Sequence, residues 1–146
     1  MATTATITLA SDVSTGFGGI TKTMTLTKAG TSNDITETTG FSRRKLAAVT
    51  AVDLITMANE LVEPSDNTAA KVYIKNNGNN GVIDKTLYVT ISIGDTAGTT
   101  QQVGRLYGGD WLLMPVTVVD DMDVVATPST DDVVVLEYAM FYEEAQ

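Results

Sequence analysis

Carboxylates are the residues of this chain best suited by type to chemistry. Asp120, Asp121 and Asp123 form the densest acidic cluster, and Asp131 with Asp132 follows across the next turn. Such oxygens can ligate Ca²⁺, and a spaced pair can hydrolyse glycosides. The other parts of either site are missing. The cluster lacks the glycine and the terminal glutamate of an EF-hand loop, and solvated turn acids need no ligand. There is no histidine, which removes the commonest general base and metal ligand. There is no cysteine, which removes thiolate sites and disulfides. No enzyme and no cofactor are expected.

Two further groups could bind rather than react. Trp111 is the only tryptophan, and Tyr107 precedes it across Gly108-Gly109-Asp110. Exposed, the pair would stack on a sugar ring; packed, Trp111 is a core or rim anchor. Arg43-Arg44-Lys45 is the only basic cluster. It suits docking on an acidic protein, or serves as a solvated loop. The run Asn76 to Gly81, NNGNNG, has no Lys-Ser/Thr and reads as a hairpin turn rather than a phosphate loop.

The elements that hold these residues are strands. Ala5, Ile7 and Leu9 alternate with threonines, as do Ile20, Met24 and Leu26, which is the period of a half-buried strand. Leu87, Val89, Ile91 and Ile93 alternate the same way. Shorter runs cover Ala70–Lys75, Gln102–Tyr107, Trp111–Val119 and Val124–Thr127, with Gly, Asn, Asp or Pro turns between them. A strand is expected near 47–55. The last run, Val133 to Tyr142, is apolar on both faces: Val135, Ala139 and Phe141 on one, Leu136, Tyr138, Met140 and Tyr142 on the other. Such a strand is central or covers a partner subunit. Short strands at this spacing mean an all-β antiparallel β-sandwich, jelly-roll-like, in one domain over 1–146. Residues 1–45 are expected as an extended arm or peripheral layer.

Composition fits that class. Twenty-four threonines favour strands, and 43% hydrophobic residues suffice for a core. Net charge is −9, and no Lys or Arg follows Arg105. An acidic surface repels phosphate, so nucleic acid and anionic membranes are not expected partners. The start MATTATITLASDV lacks a basic and an apolar signal region, which points to a protein made in a cytoplasm.

YIKN at Tyr73–Asn76, TLYVTISIG at 86–94, GRLYGGDWLLMPV at Gly104–Val116, LEYAMFYEE at 136–144 and LTKAGTSNDITETTGFSR at 26–43 together resemble small virion structural proteins of tailed phages, notably marine and cyanobacterial ones. The resemblance implies a β-sandwich or jelly-roll subunit of the virion, assembled in the host cytoplasm. It implies a homo-oligomer, with a trimer favoured, that decorates and stabilises a capsid by binding the major capsid protein, or a tail- or fibre-associated module that binds host glycan or another tail protein. On that footing Arg43, Arg44 and Lys45 would meet acidic capsid surface. Tyr138, Met140 and Tyr142 would form an oligomer interface.

Overall fold

In the computed structural model the described residues are 3–9, 19–27, 35, 37–57, 69–95, 100–119 and 122–142. They form eleven strands: β1 (Thr4–Leu9), β2 (Ile20–Thr25), β3 (Glu37–Thr38), β4 (Ser42–Leu46), β5 (Val52–Ile55), β6 (Ala69–Asn79), β7 (Tyr88–Ile93), β8 (Gln101–Tyr107), β9 (Trp111–Thr117), β10 (Val124–Pro128) and β11 (Val134–Tyr142). The described pairings are antiparallel. The protein is all-β.

From β4 onward the chain is folded double. β4 pairs with β11, β5 with β10, β6 with β9 and β7 with β8. This two-stranded ribbon is then wound, so that β11 also pairs with β6 and β10 with β7. The result is a sheet of order β5-β10-β7-β8 and a second with β3 and β4 on one side of β11, then β6 and β9. From β4 onward consecutive strands therefore cross from sheet to sheet, except β7 and β8, which are neighbours in one sheet.

The two sheets enclose one apolar core. Val72 and Ile74 of β6, Val116 of β9, and Leu136 and Met140 of β11 meet Val89, Ile91, Leu106, Val124 and Ala126 of the other sheet. Each fully buried aliphatic side chain of this kind stabilises the fold by about 1.5–3 kcal/mol against leaving it in water. Val134 and Leu136, two apart on β11, both face inward, and the register shift opposite them puts the extra residue on β6 between Asn76 and Asn79.

Three sequence expectations change in the structure. The runs on either side of Gly108-Gly109-Asp110, which as a turn between two short strands would make GRLYGGDWLLMPV a packing hairpin, do not pair: β8 and β9 lie in different sheets, and the turn is the corner between them. NNGNNG does hold a two-residue turn, with Asn80 at φ 49° and Gly81 at φ 88° and Val82 N–H donating to the Asn79 carbonyl at 2.8 Å. Its strands do not continue as a hairpin, because β6 and β7 separate into the two sheets. Arg43-Arg44-Lys45 is no loop but most of edge strand β4. Of residues 1–45, β1 and β2 pair only with each other among the described strands, whereas β3 and most of β4 belong to the large sheet.

Candidate interaction face

The large sheet has one face in the core and one turned outward. Pairing registers fix which residues share the outer face. Arg43, Glu137, Lys75 and Trp111 form one cross-strand row. Ala139, Tyr73 and Leu113 form the next, and Thr38, Phe141, Lys71 and Pro115 the third. Lys45 stands beside Val135 at the corner. Four of the nine basic residues thus gather on one face of a chain with net charge −9.

Aromatic rings run through this grid. Tyr73 lies 6.4 Å from Trp111 and 5.7 Å from Phe41, and Phe41 lies 6.4 Å from Phe141, centroid to centroid. The two Phe41 contacts are edge-to-face, a favoured geometry for ring quadrupoles. Phe41 is 69% exposed and Trp111 47% exposed, so the cluster is half covered. Its cover is the root of the β1–β2 hairpin. Thr3 to Ile7 and Leu26 close over the rings and leave a cleft of about 220 Å³.

The hairpin is held at that root. Leu26 N–H donates to the Thr3 carbonyl, Ile35 N–H donates to the Leu26 carbonyl, and Leu26 and Ile35 are buried. Beyond it, Ile7, Ile20 and Met24 are exposed on one side. Threonines face each other on the other side, with Thr6 and Thr23 hydroxyls 2.9 Å apart.

Electrostatics within the face are local. Arg43 Nε donates to Glu137 Oε2 at 2.9 Å, and its guanidinium pairs with the same carboxylate. Burial, and then the Glu137 charge, push the Tyr73 phenol above its ordinary pKa. Arg44 points the other way and its Nη1 donates to the Asp53 carbonyl at 2.5 Å.

The expected interface residues divide. Arg43 and Lys45 lie on the outer face. Tyr138, Met140 and Tyr142 do share a face, but it is the inner one: Met140 is fully buried, and both tyrosines pack half-buried against the core. The correction follows from register, since Met140 stands opposite Val72 and Tyr138 opposite Ile74. Phe141, the residue between, reaches the outer face instead. Tyr107 and Trp111 are not one platform. The corner sends Trp111 to Tyr73, and Tyr107 to Tyr88 on the other sheet, 5.3 Å away, where Arg105 lies 4.6 Å over the Tyr88 ring.

The acidic turns are structural where they are described. Asp123 is buried and its Oδ1 accepts from Met57 N–H at 2.8 Å. Asp131 accepts from Val49 N–H, and Asp132 from the Thr130 hydroxyl. Asp120 and Asp121 lie outside the described residues. Among the described residues no group of three or more acids is placed to hold a metal ion.

Sequence reasoning missed Phe41, Tyr73, Phe141, Lys71 and Lys75 as one surface. The alternation Lys71, Tyr73, Lys75 against Val72 and Ile74 held the signal for β6. Joining it to β9 and β11 required strand order.

These features define a two-sheet antiparallel β protein with an aromatic and basic outer face. No family model matches the chain, and no curated protein matches it. Among solved structures it is similar to a chain from work describing Bacillus endospore appendages as a novel family of disulfide-linked pili. Identity is 20%, with 76% of this chain and 94% of that chain covered, at a TM-score of 0.43.

Proposed function

We propose that the protein is a non-enzymatic virion structural protein that decorates and stabilises a phage capsid by binding the major capsid protein. The observation that carries this reading is the β1–β2 hairpin, which pairs with no other strand among the described residues. A lone two-stranded hairpin is marginal in water, and a third strand or an apolar surface makes it stable. A capsid shell supplies such a surface, and Ile7, Ile20 and Met24 are exposed to meet it. The wound double ribbon supports the reading as well. A ribbon wound in this way is compatible with the expected jelly-roll-like build, an architecture used by viral capsid domains. Bound subunits would stabilise a shell because opening it must also break their contacts.

The test uses purified shells that lack the protein. Added protein should co-sediment with them and raise their melting temperature. Met24→Asp, on the exposed hairpin, should abolish both effects without unfolding the body. A protein that stays in the supernatant and leaves shell melting unchanged refutes the reading.

One observation favours a second reading, a tail or fibre module that binds host glycan. Trp111 is half exposed beside Tyr73 in a cleft that Thr3, Thr4 and Thr6 help to line. Trp111 fluorescence that shifts with host polysaccharide would support it, and an unchanged spectrum would remove it.

A further inference from the structure

The chain exposes a second apolar feature, at one end of the sandwich. Val82 is 72% exposed and Ile83 50% exposed, at the tip of the loop between β6 and β7. The loop is held firmly. Asn80 N–H donates to the Val133 carbonyl at 2.8 Å, and Asp84 Oδ1 accepts from both the N–H and the hydroxyl of Thr86. Acids neighbour the tip through the backbone: Asp84 follows Ile83, Asp110 follows Gly109, which lies beside the Ile83 side chain, and Asp131 and Asp132 precede Val133, which holds Asn80. Lys85 is the cation of that loop. A branched aliphatic knob in an acidic collar is therefore preformed.

The outer face of the large sheet is its complement in shape and in charge. The cleft is aromatic, and Lys71, Lys75 and Lys45 stand on the same face. We propose that the occupant of this cleft is the Val82–Ile83 tip of a second copy of the chain. Within one copy the tip and the cleft are both left exposed, so each can be covered by its counterpart on another copy. Two-way exchange closes a symmetric pair, and one-way exchange builds a ring or a filament. Branched side chains against Phe41, Tyr73 and Trp111 supply the apolar centre, and the acids and lysines form the charged rim. The rim speeds and orients association, so assembly weakens as salt rises. The tip is remote in sequence from the β1–β2 hairpin, but the cleft is not: Thr3–Ile7 and Leu26 wall it. The contact therefore uses the inner side of the hairpin root and does not require Ile20 or Met24 to meet a capsid.

The experiment measures the oligomeric state of the purified full chain by sedimentation velocity across a concentration series, at low and high salt. The wild type should associate, less so at high salt. Val82→Asp should weaken association about tenfold or more, with an unchanged melting temperature at dilutions where the wild type is also monomeric, because the tip is solvent-exposed. Trp111→Ala should do the same from the other side. The native chain has no cysteine, so mixing Ile83→Cys protein with Phe41→Cys protein should give a disulfide-linked heterodimer and each alone should give little. A wild type that stays monomeric at its highest soluble concentration overturns the proposal. So does association that survives both Val82→Asp and Trp111→Ala, or a mixture with no cross-link between the two cysteine variants.

Discussion

Gly108 touches the backbone of Asp84 so closely that a Cβ at position 108 would lie 2.1 Å from the Asp84 carbonyl oxygen. The corner between β8 and β9 is built on that approach. It lets the loop after β6 lie on the corner and fixes the acidic end of the sandwich. A backbone neighbour cannot swing aside as a side chain can, so Gly108→Ala must displace the loop or the corner. We expect a loss of more than about 2 kcal/mol in urea unfolding. Gly104→Ala is the control: nothing lies within 4 Å of its added methyl, and removing glycine from a strand should leave stability equal or slightly higher. Equal effects from the two substitutions would mean that the corner is not packed this way.

Asn76 is the polar tie at the same place. It is fully buried, its Nδ2 donates to the Leu106 carbonyl at 2.9 Å, and its Oδ1 accepts from Gly78 N–H at 2.8 Å. Its backbone carbonyl accepts from Gly109 N–H at 2.8 Å. One residue thus links β6, β8 and the corner. Asn76→Ala strands a donor and an acceptor in the interior, at about 1–3 kcal/mol each. Asn76→Asp keeps the acceptor but turns a carboxylate toward a carbonyl, and the cost grows as that carboxyl ionises. Thermal melts should therefore rank wild type above both variants. The Asp variant should lose further stability as pH rises from 5 to 8. A pH-independent deficit would place the side chain in contact with water.

Much of the fold was legible because alternation is local. The strands around Val89, Leu106, Val116 and Val124 fall within a few residues of where their apolar spacing puts them. Alternation also grouped Tyr138, Met140 and Tyr142 correctly as one face. It could not say which face turns inward, because the last strand is apolar on both. That choice is made by pairing with β6, a strand some sixty positions away. The corner escaped for a similar reason. Gly108-Gly109-Asp110 has the composition of a hairpin turn, and only its tertiary neighbours Asp84 and Asn76 make it a crossing between sheets. The aromatic and basic face joins strands distant in sequence, so no single stretch displayed it.

The inner and outer faces of β11 can be separated by truncation. Met140 is fully buried and Phe141 is half exposed in the cleft. Met140→Ala should cost about 2–5 kcal/mol through lost transfer energy and the cavity left behind. Phe141→Ala should cost less in unfolding free energy, yet change Trp111 fluorescence as the ring cluster loosens. A milder loss at Met140 than at Phe141 would reverse the assigned faces.

Tyr73 reports on the cleft from its floor. Burial raises its pKa above the ordinary value of 10.0, and the Glu137 charge adds to this. The raised value means that folding favours the neutral phenol. The associated stability is intact below about pH 10 and is lost as pH rises through the folded-state pKa. Phenolate absorbance in alkali should contain a step above pH 10 that Tyr73→Phe removes. Glu137→Gln should bring it only part of the way back, since burial is the larger cause. A second copy seated in the cleft would bury the phenol further, so the step should move to higher pH as protein concentration rises. If the step that Tyr73→Phe removes lies at the ordinary value of 10.0 or below, the cleft floor is open to water and neither burial nor Glu137 governs it.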